Sequence, residues 1–344
     1  MIIKKIVSLI LCLCFFVLSF VSCKEKEPTV QAKSYYEYFD TVSTILSYKG
    51  DSEGEFEKNC KDVADLLGKY HKLLDIYYEY SGINNLKTIN KNAGIAPVEV
   101  DDRLIDFLLY SKQMYSLTNG KTNIAMGSVL KLWHDCREDA ENNPEGAKIP
   151  SQKELEDAAL HCDINNLIID TEAGTVYISD PKMRLDVGAI GKGYAAERAT
   201  ELLMDRGVTS YVLNIGGNIR AIGSMPNGDG WETGITHPDK SSDERFITKV
   251  NIKNISLVTS GDYERFYTVG GVKYHHIIDP ATLMPSKYFS SVSVFTKDSG
   301  LADALSTALF CMSYEEGLAL VNSIGGVEVI WVDTEYNVKR TSGI

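Results

Sequence analysis

The chain is 344 residues long, 44% hydrophobic and 24% charged, with a formal net charge of −12. This length suits one large domain or two, and the ordinary globular composition excludes a disordered or collagen-like chain. The acidic balance excludes nucleic acid as a partner. It also means that an anionic ligand must be held by local features, a metal or helix N-termini, rather than by a general field.

The first 22 residues stand apart. Lys4 and Lys5 form a basic start and residues 6–20 an apolar run too short to cross a bilayer comfortably, so residues 1–22 read as a signal peptide. Ser22-Cys23 after Phe20-Val21 resembles a bacterial lipobox, with Phe20 where leucine is usual. Cleavage before Cys23 and lipidation of its sulfur would anchor the mature protein to the membrane on the extracytoplasmic side. Plain secretion or a retained anchor is the alternative. Residues 23–34 read as a polar tether and residues 35–344 as a single large domain. Loss of Lys4 and Lys5 takes the net charge from −12 to −14. Cys60, Cys136, Cys162 and Cys311 show no C-x-x-C spacing, which argues against zinc. They could pair in an oxidising space, but scattered buried thiols are the ordinary reading.

Residues 35–48 are rich in aromatic and β-branched side chains and read as one strand. Ser52 and Glu55 make a capping box for a helix whose inner face carries Phe56, Cys60, Val63, Leu67, Tyr70 and Leu74. Asp101 caps a second helix, closed by Asn119-Gly120. Residues 137–147 are polar and read as an exposed loop. Ser151 with Glu154 starts a third helix, and 167–169 and 175–178 form a hairpin through Ala173-Gly174. Residues 185–187 are short and extended. Gly188, Gly191 and Gly193 follow, then a helix to Met204 with Gly207 as its left-handed C-cap. A buried strand at 211–213 runs into Gly216-Gly217-Asn218. Strands are expected at 231–235, 246–252, 255–259 and 291–296, and a helix at 301–312. A capping box at Ser313 and Glu316 precedes another helix, and 327–332 is expected as the final strand. Helices and strands are intermixed without a clean linker, which gives an α+β or α/β fold.

Gly-rich turns at a helix start expose N–H groups that favour phosphate. Residues 188–193 nevertheless have the wrong spacing for a Walker A loop, and no G-x-G-x-x-G stands at this strand-to-helix junction. A packing turn with an exposed lysine is the ordinary reading. Asp303 and Thr307 sit at i and i+4, so both oxygens share one helix face; carboxylate and hydroxyl suit Mg²⁺ rather than zinc. The same pair also fits an aspartate serving the helix dipole and a threonine bonding its own backbone. His276 before Ile277-Ile278-Asp279-Pro280 could be a general base, or a structural histidine in an apolar strand. Strand alternation puts His275 on the opposite side, where it is expected to be dispensable.

Taken together and in this order, Thr118-Asn119-Gly120 with Trp133, residues 185–194 with Gly216-Gly217-Asn218, Ser260-Gly261-Asp262-Tyr263, residues 276–280 and residues 303–307 resemble one family, ApbE, the FAD:protein FMN transferases. The resemblance runs from about residue 35 to the C-terminus. It implies a T-fold-like α+β domain that binds FAD and Mg²⁺, passes FMN to a threonine or serine hydroxyl of an acceptor flavoprotein, and releases AMP. It implies Asp303, Thr307 and the Ala189 carbonyl as metal ligands, with Ser306 where the family often has a second acid. Asp186, Lys192, Tyr77 and Phe39 would contact FAD, as would Ile278 and the adenine-side loop Lys121-Thr122-Asn123. Glycines 188, 191 and 193 would let the backbone approach the pyrophosphate. His276 would activate the acceptor hydroxyl. Leu283 replaces the family's usual glycine, which is expected to matter little. Hydrolysis of FAD to FMN and AMP, a flavin-binding lipoprotein without catalysis, and an unrelated solute-binding lipoprotein are the alternatives.

Overall fold

The structure is a computed structural model and describes residues 30–48 and 52–344. The expected signal peptide and the lipidation site at Cys23 lie outside the described residues. Residues 30–34, expected in the tether, belong instead to β1 (Val30–Tyr38). Residues 35–48 are not one strand either. β1 turns at Phe39-Asp40 into β2 (Thr41–Tyr48), and the two pair antiparallel. Phe39 and Asp40 have φ of 56° and 50°, the left-handed setting of both central residues in a two-residue hairpin.

The helices are α1 (Glu53–Leu74), α2 (Leu86–Lys91), α3 (Asp102–Leu117), α4 (Gly127–Asn142), α5 (Gln152–Ala159), α6 (Gly191–Asp205), α7 (Ser299–Phe310) and α8 (Tyr314–Ile324). The capping boxes Ser52/Glu55, Ser151/Glu154 and Ser313/Glu316 all form. Gly207 at φ 80° closes α6. Residues 137–142 are not loop but the last turns of α4. Its polar face is laced by i,i+4 pairs, Lys131–Asp135, His134–Glu138 and Arg137–Glu141, while Val129, Trp133, Cys136 and Ala140 are buried beneath them.

The remaining strands are β3 (Val98–Glu99), β4 (Leu167–Asp170), β5 (Thr175–Ile178), β6 (Ser210–Ile215), β7 (Asn218–Gly223), β8 (Trp231–Thr236), β9 (Phe246–Ile252), β10 (Ser256–Gly261), β11 (Phe266–Val269), β12 (Val272–His275), β13 (Phe289–Thr296), β14 (Glu328–Asp333) and β15 (Val338–Arg340). β14 is therefore followed by one more strand. Eight strands form one sheet in the order β1-β2-β6-β7-β10-β13-β14-β15, with every neighbouring pair antiparallel.

Both faces of this sheet are covered. On one side, Leu67 and Leu74 of α1 and Ala195, Ala199 and Leu203 of α6 pack with Ile45, Leu213 and Ile215. Further along that side, Leu305, Ala308 and Leu309 of α7 pack on Val258, Val292 and Val294. The β8–β9 hairpin lays Trp231, Ile235 and Ile252 over the opposite face, against Leu257, Phe295 and Ile330. β13 is consequently buried at every residue, as a strand between two layers must be. The architecture is α+β in one large domain. A small sheet, β3-β5-β4, stands apart, and the β11–β12 hairpin, turning at Gly270-Gly271, rests Tyr267 on α4 beside Trp133. Cys60, Cys136 and Cys311 are buried and Cys162 half-buried, all as thiols. Among the described residues no helix is long and apolar enough to cross a membrane.

Candidate active site

The crossing of α6 over α7 builds the first half of the site. Asp298 caps α7 by accepting from the amides of Gly300 and Leu301. One turn later Asp303 is only 5% exposed, and its Oδ2 accepts the Gly193 amide N–H at 2.8 Å. A Cβ on residue 193 would lie 2.3 Å from the Ser299 carbonyl oxygen and 2.4 Å from the Asp303 Cβ. Gly193 is therefore glycine so that the helices can touch, a demand that stands whatever the turn does for a ligand. Burial raises the pKa of Asp303, opposed by the Lys192 charge and the Gly193 amide. A buried carboxylate with one amide donor gains from a cation. Thr307 one turn on and Ala189 just before α6 are both half-buried, and the three would offer oxygen only, which fits Mg²⁺. Ser306 does not join them. It is fully buried, and its Oγ is bonded to the Ser260 Oγ and the Asp303 carbonyl.

The loop 121–123 is a keystone. Lys121 Nζ donates to Asp279 Oδ1 at 2.8 Å, the Thr122 hydroxyl to the Ala304 carbonyl at 2.6 Å, and Asn123 Nδ2 to the Cys162 carbonyl at 3.0 Å. The first reaches the chain after β12, the second α7 and the third the end of α5. The Thr122 hydroxyl is thus committed to α7, and Thr122 is buried.

Asp186 is held by its neighbours in the chain. Asn90 takes both backbone groups of Leu185, accepting its N–H at 2.7 Å and donating to its carbonyl at 3.0 Å, while the Asp186 amide donates to Ile124. Asp186 Oδ1 accepts the Gly188 amide. Burial raises its pKa, against that hydrogen bond and the charges of His134 and Arg265. Tyr77 is half exposed, with its ring 5.8 Å from that of His134. Ile278 is buried in the Trp133 and Tyr267 cluster, so its side chain is spent on packing.

His276 follows β12. Its ring Nδ1 lies 3.2 Å from the Arg265 carbonyl oxygen. A carbonyl only accepts, so Nδ1 carries the proton and Nε2 keeps its lone pair. Burial, then the Arg265 guanidinium and His275, push its pKa down to about 3. The ring is neutral at physiological pH. His275 is buried, donates from Nε2 to the Ser286 carbonyl at 2.7 Å, accepts the Ile277 amide at Nδ1, and meets Phe310 edge-on. It belongs to the core and is not the dispensable neighbour expected. Leu283 also departs from expectation. Its φ is 61°, a setting that costs a residue with a Cβ about 1–2 kcal/mol, while its carbonyl accepts the Trp133 indole N–H.

Residues 39–331 match the family model described as the ApbE family. The chain belongs to the ApbE family. An FAD:protein FMN transferase of Treponema pallidum is 31% identical over 319 residues, covering 88% of this chain and 85% of the relative. One of Escherichia coli K12 is 26% identical over 322 residues, covering 90% and 88%. The ApbE crystal structure from Thermotoga maritima superposes with a TM-score of 0.79 at 26% identity, covering 92% of this chain and 98% of that one. The flavin transferase ApbE from Vibrio cholerae gives 0.74 at 25%, covering 91% and 97%.

In this ApbE chain three cationic or titratable groups near the site escape a reading of the sequence. Arg265 reaches Asp186, Tyr77 and His276 with its charge, Arg137 reaches Tyr77 and His276, and His134 reaches Asp186. Arg265 faces His276 because the hairpin pairs Phe266 with His275, and Gly270-Gly271 was a legible signal for that turn. His134, Asp135 and Glu138 also gather on α4, but Asp135 is paired with Lys131, the ordinary state of an exposed helix face.

Proposed function

We propose that this chain is an Mg²⁺-dependent FAD:protein FMN transferase that moves FMN from FAD to a threonine or serine hydroxyl of an acceptor protein and releases AMP. Membership of the ApbE family and relatives bearing that name support the enzyme class. The observation that carries the chemistry is the tautomer of His276, whose Nδ1–H is engaged by the Arg265 carbonyl so that Nε2 is left as a base.

The acceptor hydroxyl oxygen attacks the FMN phosphorus of FAD. The bond to the AMP oxygen breaks, and the hydroxyl proton passes to His276 Nε2. Asp303, Thr307 and the Ala189 carbonyl would hold Mg²⁺, which supplies charge neutralisation at the pyrophosphate oxygens. Lys192 adds a cation beside Asp303. Asp186, Phe39, Tyr77 and the loop 121–123 would receive the rest of FAD, with Ile278 contributing backbone only.

The extracytoplasmic, lipid-anchored location is part of the same proposal and rests on residues 1–23. The deciding experiment mixes protein lacking residues 1–22 with FAD, Mg²⁺ and a threonine-bearing acceptor domain. Flavin fluorescence that stays on the acceptor after denaturation is the expected result. Release of FMN and AMP without covalent flavin would make the protein a hydrolase instead.

A further inference from the structure

An unbroken hydrogen-bond relay runs from the β1–β2 turn to the loop after α1. The Phe39 amide donates to His71 Nδ1 at 3.2 Å. With Nδ1 accepting, the neutral ring carries its proton on Nε2, which faces the Tyr80 hydroxyl at 3.3 Å. The Tyr80 hydroxyl donates to Asp75 Oδ2 at 2.7 Å. Asp75 Oδ1 accepts the amides of Tyr77 and Tyr78 at 2.6 and 3.0 Å. Each link has one donor and one acceptor, so the direction is fixed throughout. The pKa of Tyr80 is raised to about 12, chiefly by burial and then by Asp75, which keeps its proton in place. Asn85, fully buried, holds the loop from the other side by donating to the carbonyls of Lys72 and Tyr78.

The two ends of this relay are unlike ordinary packing. Phe39 sits at positive φ in a turn position that favours asparagine or glycine. Phe39 is half-buried at the margin of the core and Tyr77 and Tyr78 are 52% and 71% exposed, so three polar side chains are ordered to set two loops whose aromatic rings lie at the core's margin or outside it. We propose that His71, Tyr80 and Asp75 are positioning residues that hold the Phe39 turn and the Tyr77 loop in one mutual setting, so that both rings engage the flavin of FAD together. This rests on the reading of Phe39 and Tyr77 as contacts of FAD, of which it takes the flavin half.

The test is FAD binding to the protein lacking residues 1–22, with Mg²⁺ present and no acceptor protein, read from the quenching of flavin fluorescence on mixing. Phe39→Ala and Tyr77→Ala are measured singly and together, in the wild-type and in the Tyr80→Phe background. Phenylalanine keeps the ring and removes only the hydroxyl link. Tyr80→Phe alone is expected to weaken FAD binding about three- to tenfold, the loss typical of one hydrogen bond, with the melting temperature nearly unchanged. The losses from Phe39→Ala and Tyr77→Ala are expected to be non-additive with Tyr80 present and additive without it. Equal coupling in both backgrounds, with each single variant weakened, overturns the relay and leaves the flavin contacts standing. No loss in either single variant overturns the flavin contacts themselves and the relay with them. If Tyr80→Phe does not fold, Asp75→Asn replaces it, since its amide nitrogen cannot accept the tyrosine proton.

Discussion

His275 and His276 are neighbours in the chain and hold opposite tautomers. His275 carries its proton on Nε2 and gives it to Ser286, whereas His276 carries its proton on Nδ1 and gives it to Arg265. The first is a core residue and the second has its basic nitrogen left for chemistry. Substituting the two should therefore separate stability from rate. His276→Ala should bind FAD almost as the wild type does and transfer FMN slower by roughly 10²–10⁴-fold. His275→Ala should lower the melting temperature, because the buried Ser286 carbonyl loses its donor, at about 1–3 kcal/mol. Binding titrations, single-turnover transfer and thermal melts check both. Normal transfer by His276→Ala would remove its catalytic role.

The depressed pKa of His276 sets a pH dependence. Histidine in the unfolded chain titrates near 6.5, but burial, Arg265 and His275 hold the folded ring to about 3. Between those values the unfolded chain binds the extra proton. The stability tied to neutral His276 is thus full above pH 6.5 and is lost as pH falls toward 3. The transfer rate should show no acid limb from His276 near 6.5. Arg265→Gln keeps the backbone carbonyl and removes the guanidinium, so the His276 pKa should rise and an acid limb should move toward neutral pH. Rate–pH profiles of the two proteins decide it; superimposable acid limbs would show that Arg265 does not tune the base.

Asp303→Ala should abolish FAD turnover. Its melting temperature in chelator should fall only modestly, since the Gly193 amide loses its acceptor, at about 1–3 kcal/mol, while a carboxyl whose charged form burial disfavours is removed. Added Mg²⁺ should raise the wild-type melting temperature by mass action and leave that of the variant unmoved. Full activity in the variant or in excess chelator would rule out the metal assignment.

Gly193→Ala places a methyl group against the Ser299 carbonyl and the Asp303 Cβ, neither of which is a flexible tip. The expected loss is about 1–3 kcal/mol or more from overpacking, together with weaker Mg²⁺ binding as Asp303 is displaced. Gly188→Ala is the comparison, since its Cβ would meet only Asp186 Oδ1 at 3.3 Å, and it should be far milder. Denaturant unfolding of the pair measures the difference.

Cys23→Ala should leave the protein unprocessed or release it from the membrane fraction. A variant that fractionates and migrates like the wild type would show that no lipid is attached there.

What the sequence made legible was local. The capping boxes at Ser52, Ser151 and Ser313 follow from spacing alone, and so does the shared face of Asp303 and Thr307. The β1–β2 turn was hidden because phenylalanine and aspartate occupy positions where glycine or asparagine usually signals a hairpin. The end of α4 was hidden because its charges look like a loop until they are paired four residues apart. The packing role of Gly193 is not legible in the sequence, because only the meeting of Gly193 with Asp303, 110 positions away, shows what its missing side chain makes room for. Arg265 and Arg137 came to the site through tertiary packing, which no spacing along the chain announces.

The start of β1 at Val30 sets the length of a leash. If Cys23 carries lipid, only Lys24 to Thr29, six residues, separate the acyl chains from the folded body. Fully extended they span at most about 20 Å. The enzyme would then work against the bilayer surface rather than in free solution. Acceptors whose target hydroxyl lies close to that surface would be modified, and those that hold it far above would be passed by whatever their sequence.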